Sequence, residues 1–147
     1  MKVAFRKKAK SWYSKIIQWY TFGPYCHVEL VFANGICFSS SEDDGGTRFK
    51  TIDLQPEEWD LIEVPCEPSV EGEIYRFCQR EQNSRYDWRG IAFSFLPVPI
   101  GWQSADKWFC SEIVAAGLQL GGFLSGYTPA ALSPNQLYRK LVKELGQ

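Results

Sequence analysis

The chain is poor in the side chain best suited to proton transfer at neutral pH, holding a single histidine, His27, in 147 residues. Imidazole is the one side chain whose ordinary pKa lies near neutrality, so acid–base chemistry at physiological pH has one natural carrier. No stretch offers the roughly 18 consecutive apolar residues of a membrane-spanning helix. The N-terminus sets Lys7, Lys8 and Lys10 before a polar-studded segment instead of a hydrophobic core and cleavage site. A cytoplasmic chain without a transmembrane segment is expected. The five cysteines, Cys26, Cys37, Cys66, Cys78 and Cys110, are odd in number and form no Cys-x-x-Cys pair. That argues against a disulfide framework and a zinc knuckle, so reduced thiols, no metal and no cofactor are expected. Gly/Ser-rich tracts and internal repeats are absent too, and no linker divides the chain.

What is present fits one packed domain over residues 1–147. Apolar residues make up 45% of the chain and aromatics 16%, too much for disorder. A domain of this length buries roughly two-thirds of the surface its unfolded chain exposes, and the aromatic surplus leaves rings for a groove. The net charge of −1 conceals an asymmetry, because Lys2, Arg6, Lys7, Lys8, Lys10 and Lys15 all precede the first acid, Glu29. Interleaved with Trp12, Tyr13, Trp19 and Tyr20, this basic lead suits a weak contact with an anionic surface. A strand and short helix with a solvated basic face account for it more simply, and nucleic acid is not an expected partner.

Periodicity predicts a strand at Lys2–Phe5 and a helix over Ser11–Tyr20, with Trp12, Ile16 and Trp19 or Tyr20 on one face and Phe22-Gly23-Pro24 ending it. Tyr25–Phe32 and Ile36–Ser41 read as strands joined at Asn34-Gly35, the strongest short hairpin signal in the chain. Thr47–Leu54 and Asp60–Val64 read as two further strands, with the turn Pro56–Trp59 between them. Pro68–Gln82 carries Val70, Ile74, Phe77 and Cys78 at helical spacing. An apolar Ile91–Leu96 is closed by Pro97 and Pro99. Cys110–Leu120 is an apolar helix stopped by Gly121-Gly122, and Ser133, Pro134 and Gln136 form a capping box opening a last helix. The order predicts an α+β domain in which a curved antiparallel sheet packs on helices.

With a two-residue turn at Asn34-Gly35, counting outwards sets Val31 opposite Phe38, Glu29 opposite Ser40 and His27 opposite Glu42. Directly opposed side chains lie about 5 Å apart at Cβ, within reach for a carboxylate to accept an imidazole N–H. A three-residue loop would instead set His27 against Ser41 and turn Glu42 to the other face, with Glu29 as the fallback orienter. Cys110 opens a helix, where the dipole and unpaired amides favour a thiolate, and the amides of Cys110 and Ser111 could hold an oxyanion. A core-packed cysteine is the plainer account of Cys110 taken alone, as a surface histidine is of His27. The other thiols look inert: Cys78 on an apolar helix face, Cys37 facing away from His27, Cys66 beside Pro65, and Cys26 in the alternating strand.

Other residues read as structural. Glu112 suits a partner for the helix dipole. Asp43-Asp44-Gly45-Gly46 lacks the ligand spacing of a calcium loop. Trp102, Trp108 and Tyr127 would either wall a groove near Cys110 or fill the core.

The runs Tyr25-Cys26-His27-Val28-Glu29-Leu30-Val31, Tyr86-Asp87-Trp88-Arg89-Gly90 and Trp108-Phe109-Cys110-Ser111-Glu112-Ile113-Val114 together resemble the circularly permuted NlpC-type group of papain-like cysteine hydrolases. In that group the histidine strand precedes the cysteine helix, the reverse of papain's order. The resemblance implies a permuted papain-like fold, Cys110 as nucleophile and His27 as base. The third polar residue would lie on the strand after the histidine, which agrees with Glu42, with Ser40 the other choice there. Where members of the group often carry His-Val-Gly, this chain has His27-Val28-Glu29. The implied activity is cleavage of an amide or isopeptide bond, for instance in cell-wall peptide. The LRAT-related side of the group implies a lipid acyl or thioester bond instead, and a non-catalytic binding module on the same fold is the third reading. Similar short proteins occur in tailed bacteriophages, which implies a bacterial host cytoplasm.

Overall fold

Val3, Ala4 and Phe5 are all fully buried, which three consecutive strand residues show only when both faces of the sheet are covered. The strand they form, β1 (Lys2–Arg6), therefore lies inside the sheet, between β2 (His27–Val31) and β5 (Trp59–Glu63). The computed structural model describes residues 1–9, 12–86 and 107–147. Tyr86-Asp87-Trp88-Arg89-Gly90 beyond the main chain of Tyr86, the Ile91–Leu96 run, Pro97, Pro99 and Trp102 lie outside the described residues, as do the side chains of Trp12, Ile16 and Tyr20.

The other strands are β3 (Cys37–Ser41), β4 (Gly46–Lys50), β6 (Arg85–Tyr86) and β7 (Lys107–Trp108). The spatial order is β5-β1-β2-β3-β4-β6-β7. The first five strands are antiparallel throughout, and only the short β6–β7 pair is parallel. Four helices complete the described fold: α1 (Trp12–Tyr20), α2 (Pro68–Glu81), α3 (Cys110–Leu120) and α4 (Pro134–Leu145). The molecule is thus α+β, as the order of periodic segments predicts. Among the described residues no helix is long and apolar enough to cross a membrane.

Alternation along the strands sorts side chains to two faces. Val3, Phe5, Val28, Leu30, Phe38 and Ile62 join the larger core with Ile74 of α2, Ile113, Val114 and Leu118 of α3, and Leu137 and Leu141 of α4. Gly117 lets α3 come close to β2, because a Cβ there would stand 3.1 Å from Leu30 Cδ1. On the other face Ala4, Val31, Cys37 and Trp59 form a smaller cluster, onto which Ile52 and Leu54 pack.

That second cluster reflects a departure from the sequence reading. Trp59–Glu63 does not return beside β4; it pairs with β1 at the far edge, Lys2 against Glu63 and Arg6 against Trp59. The chain from 51 to 58 must therefore cross from one side of the sheet to the other. It brings Ile52 and Leu54 over the face the helices leave open.

The hairpin also differs. Phe32 N donates to Ile36 O at 3.0 Å and Gly35 N to Phe32 O at 2.9 Å, so residues 33–35 form a three-residue loop with Gly35 at φ +81°. The register becomes Leu30 with Phe38 and Val31 with Cys37, one residue away from the two-residue count. Continued along the strands it aligns Glu29 with Ser39, Val28 with Ser40 and His27 with Ser41. Glu42 is therefore not opposite His27. Cys37, expected to face away from His27, lies on the same face as Val31 and Glu29.

Candidate functional site

The start of β2 is fixed from outside the sheet. Asn135 of α4, only 2% exposed, accepts from Tyr25 N at 3.0 Å and donates to Tyr25 O at 2.8 Å and to Thr21 Oγ1 at 2.6 Å. Gly23 makes room for it, since a Cβ there would meet Asn135 Oδ1 at 2.2 Å. Cys26 N then donates to Arg6 O at 3.0 Å, and the β1–β2 ladder runs on with His27 beside Arg6.

His27 Nε2 lies 2.7 Å from Glu29 Oε1. The same carboxylate receives both terminal nitrogens of Arg48, Nη2 on Oε1 at 2.6 Å and Nη1 on Oε2 at 2.8 Å. Arg48 Nε donates to Asp44 Oδ2 at 2.8 Å, and Lys50 Nζ to Asp44 Oδ1 at 2.8 Å. Glu29 is completely buried. Burial alone would push its carboxyl up, but the hydrogen bonds and charges of His27 and Arg48 outweigh that and hold it below the usual glutamate range. An ionised carboxylate only accepts, so His27 Nε2 is the donor to Glu29. The chain's one imidazole is thereby held by a buried carboxylate.

His27 and Glu29 line a cavity of about 380 Å³, with Ile17 of α1, Arg6, Glu42, Arg48 and Trp59 among its walls. The Arg6 guanidinium stands 5.5 Å above the Trp59 ring and reaches Glu58 Oε2 at 3.3 Å. His27 meets Trp59 edge-on at 6.3 Å between ring centroids. Among the described residues, three buried side-chain polar atoms have no hydrogen-bond partner: Arg6 Nε, Ser39 Oγ and Glu42 Oε2.

Cys110 opens α3 as expected but lies in the larger core, wholly buried. Burial pushes its thiol far above the ordinary cysteine range, only partly opposed by hydrogen bonding to the main chain of Val28 and Ser111. The sulfur thus sits against β2 one residue from His27, on the side that Val28 faces. Among the described residues no hydrogen bond joins it to His27.

The structure thus brings His27 together with Glu29, the fallback orienter, and not with Glu42. Glu42 remains a wall of the same cavity. Ser40 points to the helix side, where its hydroxyl donates to Trp108 O at 2.6 Å. Ser111, expected at the oxyanion position, turns its hydroxyl to Leu132 O. Glu112 closes the helix start by accepting from Phe109 N at 3.4 Å. Asp44 serves Arg48 and Lys50. Trp108 packs on the core with Nε1 donating to Glu81 Oε2 at 2.8 Å, while Tyr127 carries Lys140 over its ring at 3.8 Å.

Arg48, Arg6 and Trp59 are the site residues that the sequence reading missed. Arg48 had one available signal: a three-residue loop at 33–35 together with a four-residue loop at 42–45 places it in line with Glu29 and Ser39. The basic lead is largely neutralised within the fold, since Lys2 pairs with Glu63, Arg6 and Lys8 with Glu58, and Lys7 with Asp60. A contact with an anionic surface gains no support from those four residues.

No protein-family model matches the chain, and no curated protein matches it.

Proposed function

We propose that the chain is a thiol-dependent hydrolase of the permuted papain-like, NlpC-type kind, acting on an amide or isopeptide bond in a bacterial host's cytoplasm or cell-wall peptide. The observation that carries this reading is the placement of Cys110 at the first turn of α3, with its sulfur against the main chain of Val28. The preceding residue, His27, is an imidazole already held by a carboxylate. Because burial keeps the thiol neutral, His27 acts as a general base at the moment of attack and not as half of a resting ion pair. Regular alternation turns His27 and Val28 to opposite faces, so proton transfer requires the start of β2 to rearrange and His27 to leave Glu29 for the sulfur.

In the reaction, Nδ1 takes the Sγ proton as sulfur bonds to the carbonyl carbon. The C–N bond then breaks and the amine leaves with that proton. Water attacks the thioester, releasing the carboxylic acid and restoring the thiol. The amides at the start of α3 face the developing oxyanion.

The deciding measurement is the pH dependence of Cys110 alkylation, read by mass spectrometry in the wild type and in His27→Ala. The hydrolase reading expects modification near neutral pH that is strongly slowed in the variant. A Cys110 that reacts only above about pH 8, or equally without His27, rejects it.

Complete burial of Cys110 favours a second reading, a binding module on the same fold that uses the His27 face without covalent chemistry. An acyl-transfer role toward lipid or thioester substrates would share the nucleophile and differ in what the acyl-enzyme releases.

A further inference from the structure

We infer that the C-terminal end of α1 is a membrane-docking tip, on which Trp19 and Phe22 enter the interface of an anionic phospholipid bilayer and Lys15 meets its headgroup phosphates. The inference goes beyond the hydrolase reading and does not depend on Cys110 reacting.

Trp19 is 76% exposed and Phe22 90%, more than any other large apolar side chain among the described residues. Leu61, Leu120 and Tyr127 are each less than half exposed, as isolated surface apolar residues commonly are. Trp19 and Phe22 stand instead one helical turn apart in the sequence. Ile17 is the α1 residue that enters the core, so the side carrying Lys15 and Trp19, four residues apart, is turned outward.

Phe22 is held there against a backbone preference. Gly23 N donates to Gln18 O at 3.3 Å, the bond that closes a helix ending on a left-handed residue. That residue is Phe22, at φ +50°, a position where glycine is usual and a side chain is strained. Gln18 Nε2 donates to Lys7 O and Pro24 O, and Asn135 Nδ2 donates to Thr21 Oγ1 at 2.6 Å. The backbone under the exposed ring is thus fixed on both flanks. Strain that no packing inside the molecule returns points to a contact made outside it.

Charge selects the partner. Lys2, Arg6, Lys7 and Lys8 are paired within the fold, whereas Lys15, exposed on the side of Trp19, makes no ion pair among the described residues. Residues 9–28 hold Lys10 and Lys15 and no acid. Aromatic rings beside an uncompensated cation match the outer region of an anionic bilayer. There tryptophan settles at the headgroup level, lysine meets the phosphates and phenylalanine reaches the acyl boundary.

The test is flotation of the full chain with vesicles of phosphatidylcholine, alone or mixed equally with phosphatidylglycerol, at about 5 mM lipid. The mixed vesicles are expected to carry the protein and phosphatidylcholine alone to carry much less. Lys15→Gln should weaken binding to the mixed vesicles about fivefold, and Phe22→Gly or Trp19→Ser at least about tenfold. Phe22→Gly should meanwhile be at least as stable as the wild type in urea, because glycine relieves the strain. With brominated lipid in the mixed vesicles, part of the wild-type tryptophan fluorescence should be quenched, and that quenching should vanish in Trp19→Phe. Cys110→Ala should bind as the wild type does, which separates this result from the fate of the hydrolase reading. No flotation with the mixed vesicles, binding unchanged in Phe22→Gly and Trp19→Ser, a Phe22→Gly chain less stable than the wild type, or quenching that persists in Trp19→Phe overturns the inference. So does a dimer in lipid-free solution that dissociates in Trp19→Ser, since a second copy would then be what covers the tip.

Discussion

Glu29 Oε1 lies 2.7 Å from His27 Nε2 and 2.6 Å from Arg48 Nη2, so one fully buried oxygen joins the only imidazole to a guanidinium. The two residues two apart on β2 share a face, and the lean between them replaces the cross-strand pair that a tighter turn would have made.

Replacing Glu29 by Gln leaves Arg48 with its charge and without its carboxylate in a buried setting. Removing one partner of a buried pair costs about 3–5 kcal/mol, and urea unfolding at pH 7 should show a loss in that range. Because the folded carboxyl is held below the usual range, its contribution is present above the ordinary glutamate pKa of about 4.3 and is lost as pH falls through the lower folded value. The gap between wild type and Glu29→Gln should therefore close in acid. A gap of equal size at pH 7 and pH 3 would show that the carboxylate's charge is not what stabilises.

Arg48→Lys keeps the charge but gives up the fork that engages both oxygens of Glu29 and also Asp44. A loss of about 1–3 kcal/mol is expected, measured by the same unfolding curves. A variant as stable as the wild type would mean that the two-pronged geometry adds nothing beyond charge.

Asn135→Ala should cost about 2–3 kcal/mol, because the Tyr25 main chain loses both partners in a buried position. Hydrogen exchange of the Tyr25 amide should accelerate more than exchange in β3 or β4. A uniform acceleration would instead indicate global destabilisation alone.

Gly46 has φ +154°, and a Cβ added there would stand 1.9 Å from Ser84 O. Gly46→Ala should therefore separate β4 from β6 and lower stability by at least about 2 kcal/mol in chemical denaturation. An unchanged midpoint would mean that the β4–β6 bridge opens without cost.

Cys66 is the one cysteine of the five that is not buried. In a Cys110→Ser background, one thiol equivalent should react quickly with a disulfide reagent and vanish in Cys66→Ser. Burial and the neighbouring acids Glu71 and Glu67 raise that thiol, so its rate should still be climbing above about pH 8.5. Burial pushes the thiols of Cys26 and Cys37 up to about 11, and they should react only on unfolding.

Local rules proved readable where a few adjacent residues decide the outcome. Ser133 and Gln136 exchange both capping bonds at 3.3 and 2.9 Å, and α3 runs from Cys110 to Leu120 between the bounds its apolar run suggested. The hairpin shows the limit of such reading, because Asn34-Gly35 marks the turn but not the number of residues in it. A slip of one residue moves every side chain of β3 to the other face. It also moved His27's carboxylate from Glu42 on the next strand to Glu29 on its own.

The sequence by itself determined the α+β content and the positions of most strands and helices, since period, caps and turn residues are encoded within a few positions. Only the tertiary structure decided that β5 lies beyond β1, that Arg48 rather than a strand neighbour balances Glu29, and that Cys110 is sealed against β2. Those outcomes depend on which segments meet across tens of residues, where burial of whole faces overrides any local preference. The protein's one imidazole is oriented by a buried charge pair whose second member comes from a strand two places away in the sheet.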